Sequence, residues 1–551
     1  MTLVFQAFRQ AVDDYPNADF LHIPASACPH YSDVALNYSY AEFEPHVQES
    51  IQYYREVGLV AGQRVALLLE NRPEFFQHFF ALNALGVSVV PINPEMQPDE
   101  QAYLLNHSEA CLLVHLPAYS ERANTILGML ERPVQVVATD TMQMPDAPVS
   151  TAKSSIAYPA EEIGLDTECA LLYTSGSTGQ PKGCILSNDY FIRFGHWYRT
   201  IGGYCRLEPG AERLLTPLPL VHMNAMAVST MGMLMTGGCI IQLDRFHPKT
   251  WWQSVLESRA TIVHYLGVLP AILLELPITP QEREHAVKFG FGAGVNPRHH
   301  GPFEKRFGFP LIESWAMTES GSGGCVTANK EPRHVGQCCF GKPDERVEIR
   351  LVDEESAEVA TGEPGELLVR ARGDNSRKGF FSGYLKDPGA TEAGWLDGWW
   401  HTGDVVREGA DGSLFFVDRR KNVIRRSGEN IAALEVEAAL AGDPHIQQCV
   451  VCAVPDELRG DEVMAIVVAA ADATLDLNAA ESVIEHARRT LAYYKLPGYI
   501  ALVDTLPLTA SQKPRRAEIK QLGKTLLESG ACFDLRHLKS RKPGSKFTGA
   551  A

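Results

Sequence analysis

Short apolar runs alternate with amphipathic stretches along most of the chain before Arg419. "RVALLL" (64–69) is a continuous apolar run of strand length, and "PEFFQHFFALNAL" (73–85) carries the helical period, with Pro73 in its first turn and Gly86 past its end. "VSVVPI" follows as the next strand. The order recurs downstream as "CIIQL", "PKTWWQSVLESR" and "ATIVHYL". Strand–helix–strand alternation predicts an α/β architecture of parallel sheets covered by helices on both faces. No short-period repeat interrupts it.

The pattern changes near residue 418, where "DRRKNVIRRSGENI" gathers Arg419, Arg420, Lys421, Arg425 and Arg426. Beyond it the periodicities predict helix 433–441, strands 447–454 and 463–470, helix 478–491 and strand 499–504, enough for a small α+β domain. The expected division is an N-terminal domain over 1–419, a C-terminal domain over 420–522 and a basic tail over 523–551, frayed from Asp534 onward.

At 551 residues the chain is too long for one core. A formal net charge of −17 argues against general nucleic-acid binding, yet leaves room for small anions in local basic pockets. No apolar run is long enough for a membrane span, and "MTLVFQAFRQAVDDYP" lacks the basic leader of a secretory signal. The cysteines lie scattered in apolar contexts, which suits a reducing cytoplasm. Cys449 and Cys452 form a lone CxxC inside an apparent strand and read as core packing, as do Cys338 and Cys339.

Candidate chemistry begins at "LLYTSGSTGQPKG" (171–183). A nucleotide-hydrolysing P-loop needs Gly before its Lys and a hydroxyl residue after it. Here Pro181, which has no N–H, precedes Lys182, and Gly183 follows. What remains is a clamp of hydroxyls on Thr174, Ser175, Ser177 and Thr178, with Gly176 and Gly179 allowing close backbone approach and Lys182 as a point charge. The bland alternative is a solvated loop. Three further stretches stand out. "IESWAMTESG" (312–321) puts Glu319 beyond a strand-like run, where ligands of α/β sheets sit. "GWWHTGDVV" (398–406) carries Asp404, which alone reads as a turn residue before a strand. "LPLTASQKPRRAEI" (506–519) offers Lys513, by default a solvated lysine.

In this order and register, "YTSGSTGQPKG", "PLPLVHMNAM", "FGAG", "ESWAMTE", "GEPGEL", "GYLKDPGAT", "WHTGD", "DRRKNVIRRSGENI", "AVPDELRGD", "LAYYKLP" and "LPLTASQK" resemble the adenylate-forming superfamily, from about Tyr38 to Arg516. Within it, "FFVDRRKNVIRRSGENI", "SRATIV" and "PLVHMNAM" look most like carnitine/crotonobetaine–CoA ligases. The resemblance implies a large N-terminal domain that adds a distorted barrel to its helix-covered sheets, and a small mobile C-terminal lid. It implies ATP, Mg²⁺ and coenzyme A as cofactors, a small carboxylic acid as substrate, a cytoplasmic location and, among the expectations, a homodimer. An enzyme loading a separate carrier protein, or a medium-chain or aryl acid–CoA ligase, is the alternative.

The same resemblance implies residue roles. The 174–182 loop holds the β- and γ-phosphates; Thr174 and Glu319 help hold Mg²⁺, a hard cation suited to oxygen ligands. Thr318 contacts the α-phosphate. Gly292, Ala293, Gly294, Glu313, Ser314 and Trp315 line the adenine slot, with Trp315 stacked on the base and Glu313 at its edge. Asp404 and Arg419 meet the ribose. Lys513 is the catalytic lysine, Lys421 the hinge, and Gly428 lets pantetheine pass close to a strand at "RSGENI". Arg425 and Arg426 either meet CoA phosphates or sit on a solvated face. His222 resembles the gate of the acyl pocket, beside a Met-rich segment (222–235) that reads equally as core or acyl tunnel. Trp197, Tyr198, Trp251 and Trp252 are aromatic-cage candidates for a quaternary ammonium by composition alone. Two positions depart from the family pattern: Ala316 stands where Gly is usual, and Gln512 stands before Lys513 in place of Gly.

Overall fold

A computed structural model describes residues 3–27, 31–142, 163–174, 180–353, 355–419, 423–470, 473, 475–507 and 516–539. The chain divides into two compact units, the larger formed by residues 1–94, 101–174 and 182–420, the smaller by 421–551 together with 95–100 and 175–181.

The larger unit holds three sheets. The first runs in the order Gly383–Tyr384, Lys182–Ser187, Glu168–Thr174, Ser88–Pro91, Arg64–Leu68, Leu112–His115, Gln135–Ala138. Its last five strands are parallel, and the hairpin of Glu168–Thr174 with Lys182–Ser187 is antiparallel. The second sheet has a parallel centre, with Leu311–Trp315, Phe289–Ala293, Ile262–Leu266, Arg213–Thr216 and Cys239–Gln242 side by side. The third, a half-barrel of antiparallel strands, includes Pro364–Ala371, Trp399–Glu408 and Leu414–Arg419.

Parallel strands buried on both faces need near-continuous apolar sequence. That is the state of Arg64–Leu68 and Leu112–His115, which are buried at every position. The helix Pro73–Ala84 brings Phe75, Phe76, Phe79 and Phe80, all buried, into the same hydrophobic core. A charged pair crosses this core. Arg64 grips Glu168 with two parallel hydrogen bonds of 2.6 and 2.7 Å, both side chains being buried. A bidentate guanidinium–carboxylate pair carries geometric specificity, and here it anchors the start of the strand that ends at Thr174.

In the smaller unit the long hairpin Ile446–Asp456 with Gly460–Ala469 carries two apolar faces, one covered by helices Ala433–Leu440 and Leu477–Ala487, the other by helix Arg516–Glu528. Residues 523–539, assigned above to the tail, therefore belong to the fold. Ile519, Leu522 and Leu526 recur at helical spacing and pack on the sheet, Phe533–Asp534 pairs with Tyr499–Leu502, and Leu535 is buried. The basic residues of this stretch mask an amphipathic helix. "RSGENI" is likewise two strands, not one: Val423–Arg426 turns into Glu429–Ala432 through Ser427 (φ 51°) and Gly428 (φ 89°). Two consecutive positive φ values suit a tight hairpin turn, and glycine accepts the second without strain.

Arg426 is buried, contrary to both readings offered for it. Its Nε donates to both oxygens of Glu462 at 2.8 and 2.9 Å, and the Lys539 ammonium meets the same carboxylate. Burial, ahead of the Arg426 charge, lowers the Lys539 ammonium to about 7.

Candidate functional site

Several described site residues of the larger unit lie at strand ends, among them Thr174, Lys182 and Ala293. Glu319 follows strand Leu311–Trp315 and is only 7% exposed. Its Oε1 accepts hydrogen bonds from the Tyr384 hydroxyl at 2.7 Å and from Thr174 Oγ1 at 3.5 Å. Among the described residues no cation lies within 4.0 Å of it. A buried carboxylate without a counter-ion is costly, and hydroxyls gathered on one oxygen leave the other directed elsewhere. That donor set fits a hard cation held by oxygen. Among the described residues no cluster of three acidic, His or Cys side chains forms a metal cage.

Lys182 begins the second strand of the loop's hairpin. Its ammonium pairs with Asp387 at 3.0 Å and lies 4.9 Å from the centre of the Tyr384 ring. Thr318 is tied through its carbonyl to the Tyr190 hydroxyl at 3.0 Å. Neither Tyr384 nor Asp387 was singled out from the sequence, although both lie in "GYLKDPGAT"; a tyrosine and an aspartate in a loop carry no chemical signature until their partners are seen.

The Gly292–Ala293–Gly294 turn ends strand Phe289–Ala293. A side chain at Gly292 would bring a Cβ to 2.2 Å from the Tyr265 carbonyl, so glycine is required there by close strand approach. Glu313 serves this turn. Its carboxylate, 6% exposed, accepts from the Tyr265 hydroxyl at 2.8 Å and from the Gly294 amide at 2.9 Å, with Val295 N–H at 3.3 Å. Burial raises its pKa, outweighing those donors. Both oxygens thus accept from protein groups, which holds the turn in shape.

Trp315 is buried and its indole N–H donates to Asp404 Oδ2 at 2.9 Å. Asp404 is not a turn residue: it sits within strand Trp399–Glu408, paired in register with Arg419. Ser314 hydrogen-bonds Thr327 Oγ1 at 2.7 Å, and Ala316 is half-buried against the core.

His222 precedes a widened helical stretch, Asn224–Ser229, in which Ser229 Oγ and Thr230 Oγ1 reach carbonyls five residues back. Such π-turns are rare and recur at functional sites. Under it lies His264, fully buried, with Tyr198 OH 2.8 Å from Nε2 and Ser229 Oγ and Asn224 Oδ1 at 2.9 and 3.0 Å from Nδ1. Desolvation lowers its pKa to about 3. Met226, Met231 and Met233 are fully buried core, and only Met223 of the Met-rich segment is half-exposed enough to face a ligand. The aromatic candidates do not converge. Trp197 stacks on Tyr198 beside Phe291, whereas Trp251 packs on Phe246 and Trp252 on His285 and Phe307.

Gly428 occupies the smaller unit's hairpin turn. Ser175, Gly176, Ser177, Thr178, Gly179, Lys421, Gln512 and Lys513 lie outside the described residues.

Comparison with known proteins follows the same boundary. Residues 8–385 match the model of the AMP-binding enzyme family, and 435–513 match that of the AMP-binding enzyme C-terminal domain. A crotonobetaine/carnitine–CoA ligase of Shigella dysenteriae serotype 1 (strain Sd197) is 29% identical over 528 residues, 94% of this chain and 99% of its own. The ligase of the same name from Escherichia coli O8 (strain IAI1) is 28% identical over the same shares. Among solved structures, the amide bond synthetase McbA of Marinactinospora thermotolerans superposes with a TM-score of 0.79 at 23% identity, covering 95% of this chain and 100% of its own. The o-succinylbenzoate CoA synthetase of Bacillus subtilis gives 0.76 at 24% identity, covering 94% and 98%.

Proposed function

The chain belongs to the AMP-binding enzyme family and is an AMP-forming acyl-CoA synthetase, and from that premise we propose that it joins a small carboxylic acid to coenzyme A through an acyl-adenylate, with a quaternary-ammonium acid such as carnitine or crotonobetaine as first candidate. A carboxylate is a poor acyl electrophile at neutral pH, so it is first made a mixed anhydride with AMP. The attack brings an anion onto the α-phosphorus of a polyanion, and catalysis becomes positioning and charge neutralisation.

The observation that carries the reading is Glu319: a buried carboxylate, restrained by Tyr384 and Thr174, close in the chain to Thr318. Magnesium, when bound there, supplies charge that offsets the pyrophosphate leaving group. Thr174 and Lys182 hold the β- and γ-phosphates, Trp315 and the Gly292–Gly294 turn take the adenine, and Asp404 with Arg419 holds the ribose. Lys513 bridges the acid and the α-phosphate, then withdraws as the small domain turns about Lys421 to admit the thiol. A reaction that consumes ATP and coenzyme A, in a chain whose described cysteines are free thiols, suits the cytoplasm. Among the described residues no helix is long and apolar enough to cross a membrane.

The choice of acid rests on the relatives' names. A second reading, an aryl or unbranched acid, is favoured by the separation of Trp197 and Tyr198 from Trp251 and Trp252, which leaves no shared cage for an ammonium group. A panel of betaines, fatty acids and benzoates, read out by coenzyme A consumption, decides between them; thioester formation only with a separate carrier protein would overturn CoA as acceptor. Lys513→Ala should suppress acid-dependent pyrophosphate exchange far more than thioester formation from synthetic acyl-AMP. Equal loss in both half-reactions contradicts the turning lid.

A further inference from the structure

The strand Gly383–Tyr384 pairs antiparallel with Lys182–Ser187, placing Tyr384 opposite Cys184. The backbone is stitched on both sides, by Ser382 N–H to Ile185 O and Leu385 N–H to Gly183 O at 2.8 Å each, and Tyr384 N–H donates to Thr391 Oγ1 at 2.9 Å. The ring is wedged beside Phe381, 4.9 Å between centroids. So fixed, Tyr384 does two things at once. Its hydroxyl donates to Glu319 Oε1 at 2.7 Å, and its ring centre lies 4.9 Å from the Lys182 ammonium, which donates to Asp387 Oδ2 at 3.0 Å.

Resting on the ligase reading above, we propose that Tyr384 is a positioning residue that sets the spacing between the metal-facing carboxylate, Glu319, and the phosphate-facing ammonium, Lys182, with Asp387 holding that ammonium in place until phosphate displaces it. Glu319 follows a strand of the second sheet and Lys182 opens a strand of the first, and the Tyr384 side chain touches both. Without the tyrosine hydroxyl, Glu319 keeps, among the described residues, the longer Thr174 hydrogen bond. Without the ring, Lys182 loses the face it lies over.

The test uses the full-length protein with Mn²⁺ and a non-hydrolysable ATP analogue, following free Mn²⁺ by electron paramagnetic resonance. Tyr384→Phe keeps the ring and removes the hydroxyl bond to a charged acceptor. It should weaken Mn²⁺ uptake in the nucleotide complex by about tenfold while leaving metal-free analogue binding unchanged. Tyr384→Leu should weaken both. In pyrophosphate exchange, Tyr384→Phe should raise the Mg²⁺ needed for half-maximal rate without changing the acid KM. The phenylalanine variant is the deciding one, because it preserves the packing. Metal uptake equal to wild type in that variant overturns the role of Tyr384 and leaves the ligase reading standing. A wild-type protein that takes up no Mn²⁺ with the nucleotide overturns both.

Discussion

The indole N–H of Trp315 donates to the Asp404 carboxylate at 2.9 Å, which joins the residue assigned to the base and the residue assigned to the ribose into one buried unit. Phenylalanine at 315 would keep a flat ring and lose the donor. Removing one partner of a buried charged hydrogen bond costs about 1–3 kcal/mol, so Trp315→Phe should raise the KM for ATP in pyrophosphate exchange by about tenfold or more, with the acid KM unchanged. Asp404→Asn, whose amide oxygen still accepts the indole proton, should retain the melting temperature better than Asp404→Ala.

Glu319→Gln tests the carboxylate itself. The amide oxygen can still accept from Tyr384, but the charge is gone. Adenylation should fall by about 100-fold or more, the scale expected when one electrostatic stabiliser is removed, and raising Mg²⁺ should recover part of it. Thioester formation from synthetic acyl-AMP, which releases no pyrophosphate, should change far less. Parallel loss in the two half-reactions contradicts the metal role.

His264 makes the fold acid-sensitive. Its folded pKa is about 3 against an ordinary value of 6.5, so the fold binds the neutral ring. Its contribution is fully present above pH 6.5 and is lost as pH falls from there toward 3. Between pH 7 and 5 that amounts to about 2 kcal/mol. His78, also buried and lowered to about 4, acts in the same direction. Comparing wild type with His264→Gln isolates the one ring: the gap in urea midpoint should narrow as pH drops from 7 to 5. A gap independent of pH would refute a neutral buried histidine.

Much of the fold was legible because burial writes itself into sequence. The helix read over 73–85 spans Pro73–Ala84, and the strand read over 64–69 spans Arg64–Leu68. Where polar residues sit on an apolar face the reading failed. Helix Arg516–Glu528 was hidden by its charges, and the Ser427–Gly428 turn by a run that looked uniformly extended. At the candidate site, motifs gave positions, while function within the site depends on partners. Glu313 accepts from the Tyr265 hydroxyl and the Gly294 amide, and Tyr384 touches both Glu319 and Lys182. No spacing rule reveals such pairings, since they join segments far apart in the chain.

Lys539 and Arg426 share the Glu462 carboxylate, and Arg426 stands directly before the Ser427–Gly428 turn. A fusion tag or a truncation placed ahead of Lys539 would therefore strip a counter-charge from the root of that hairpin. Engineering at the carboxyl end is safest when the splice begins downstream of the lysine.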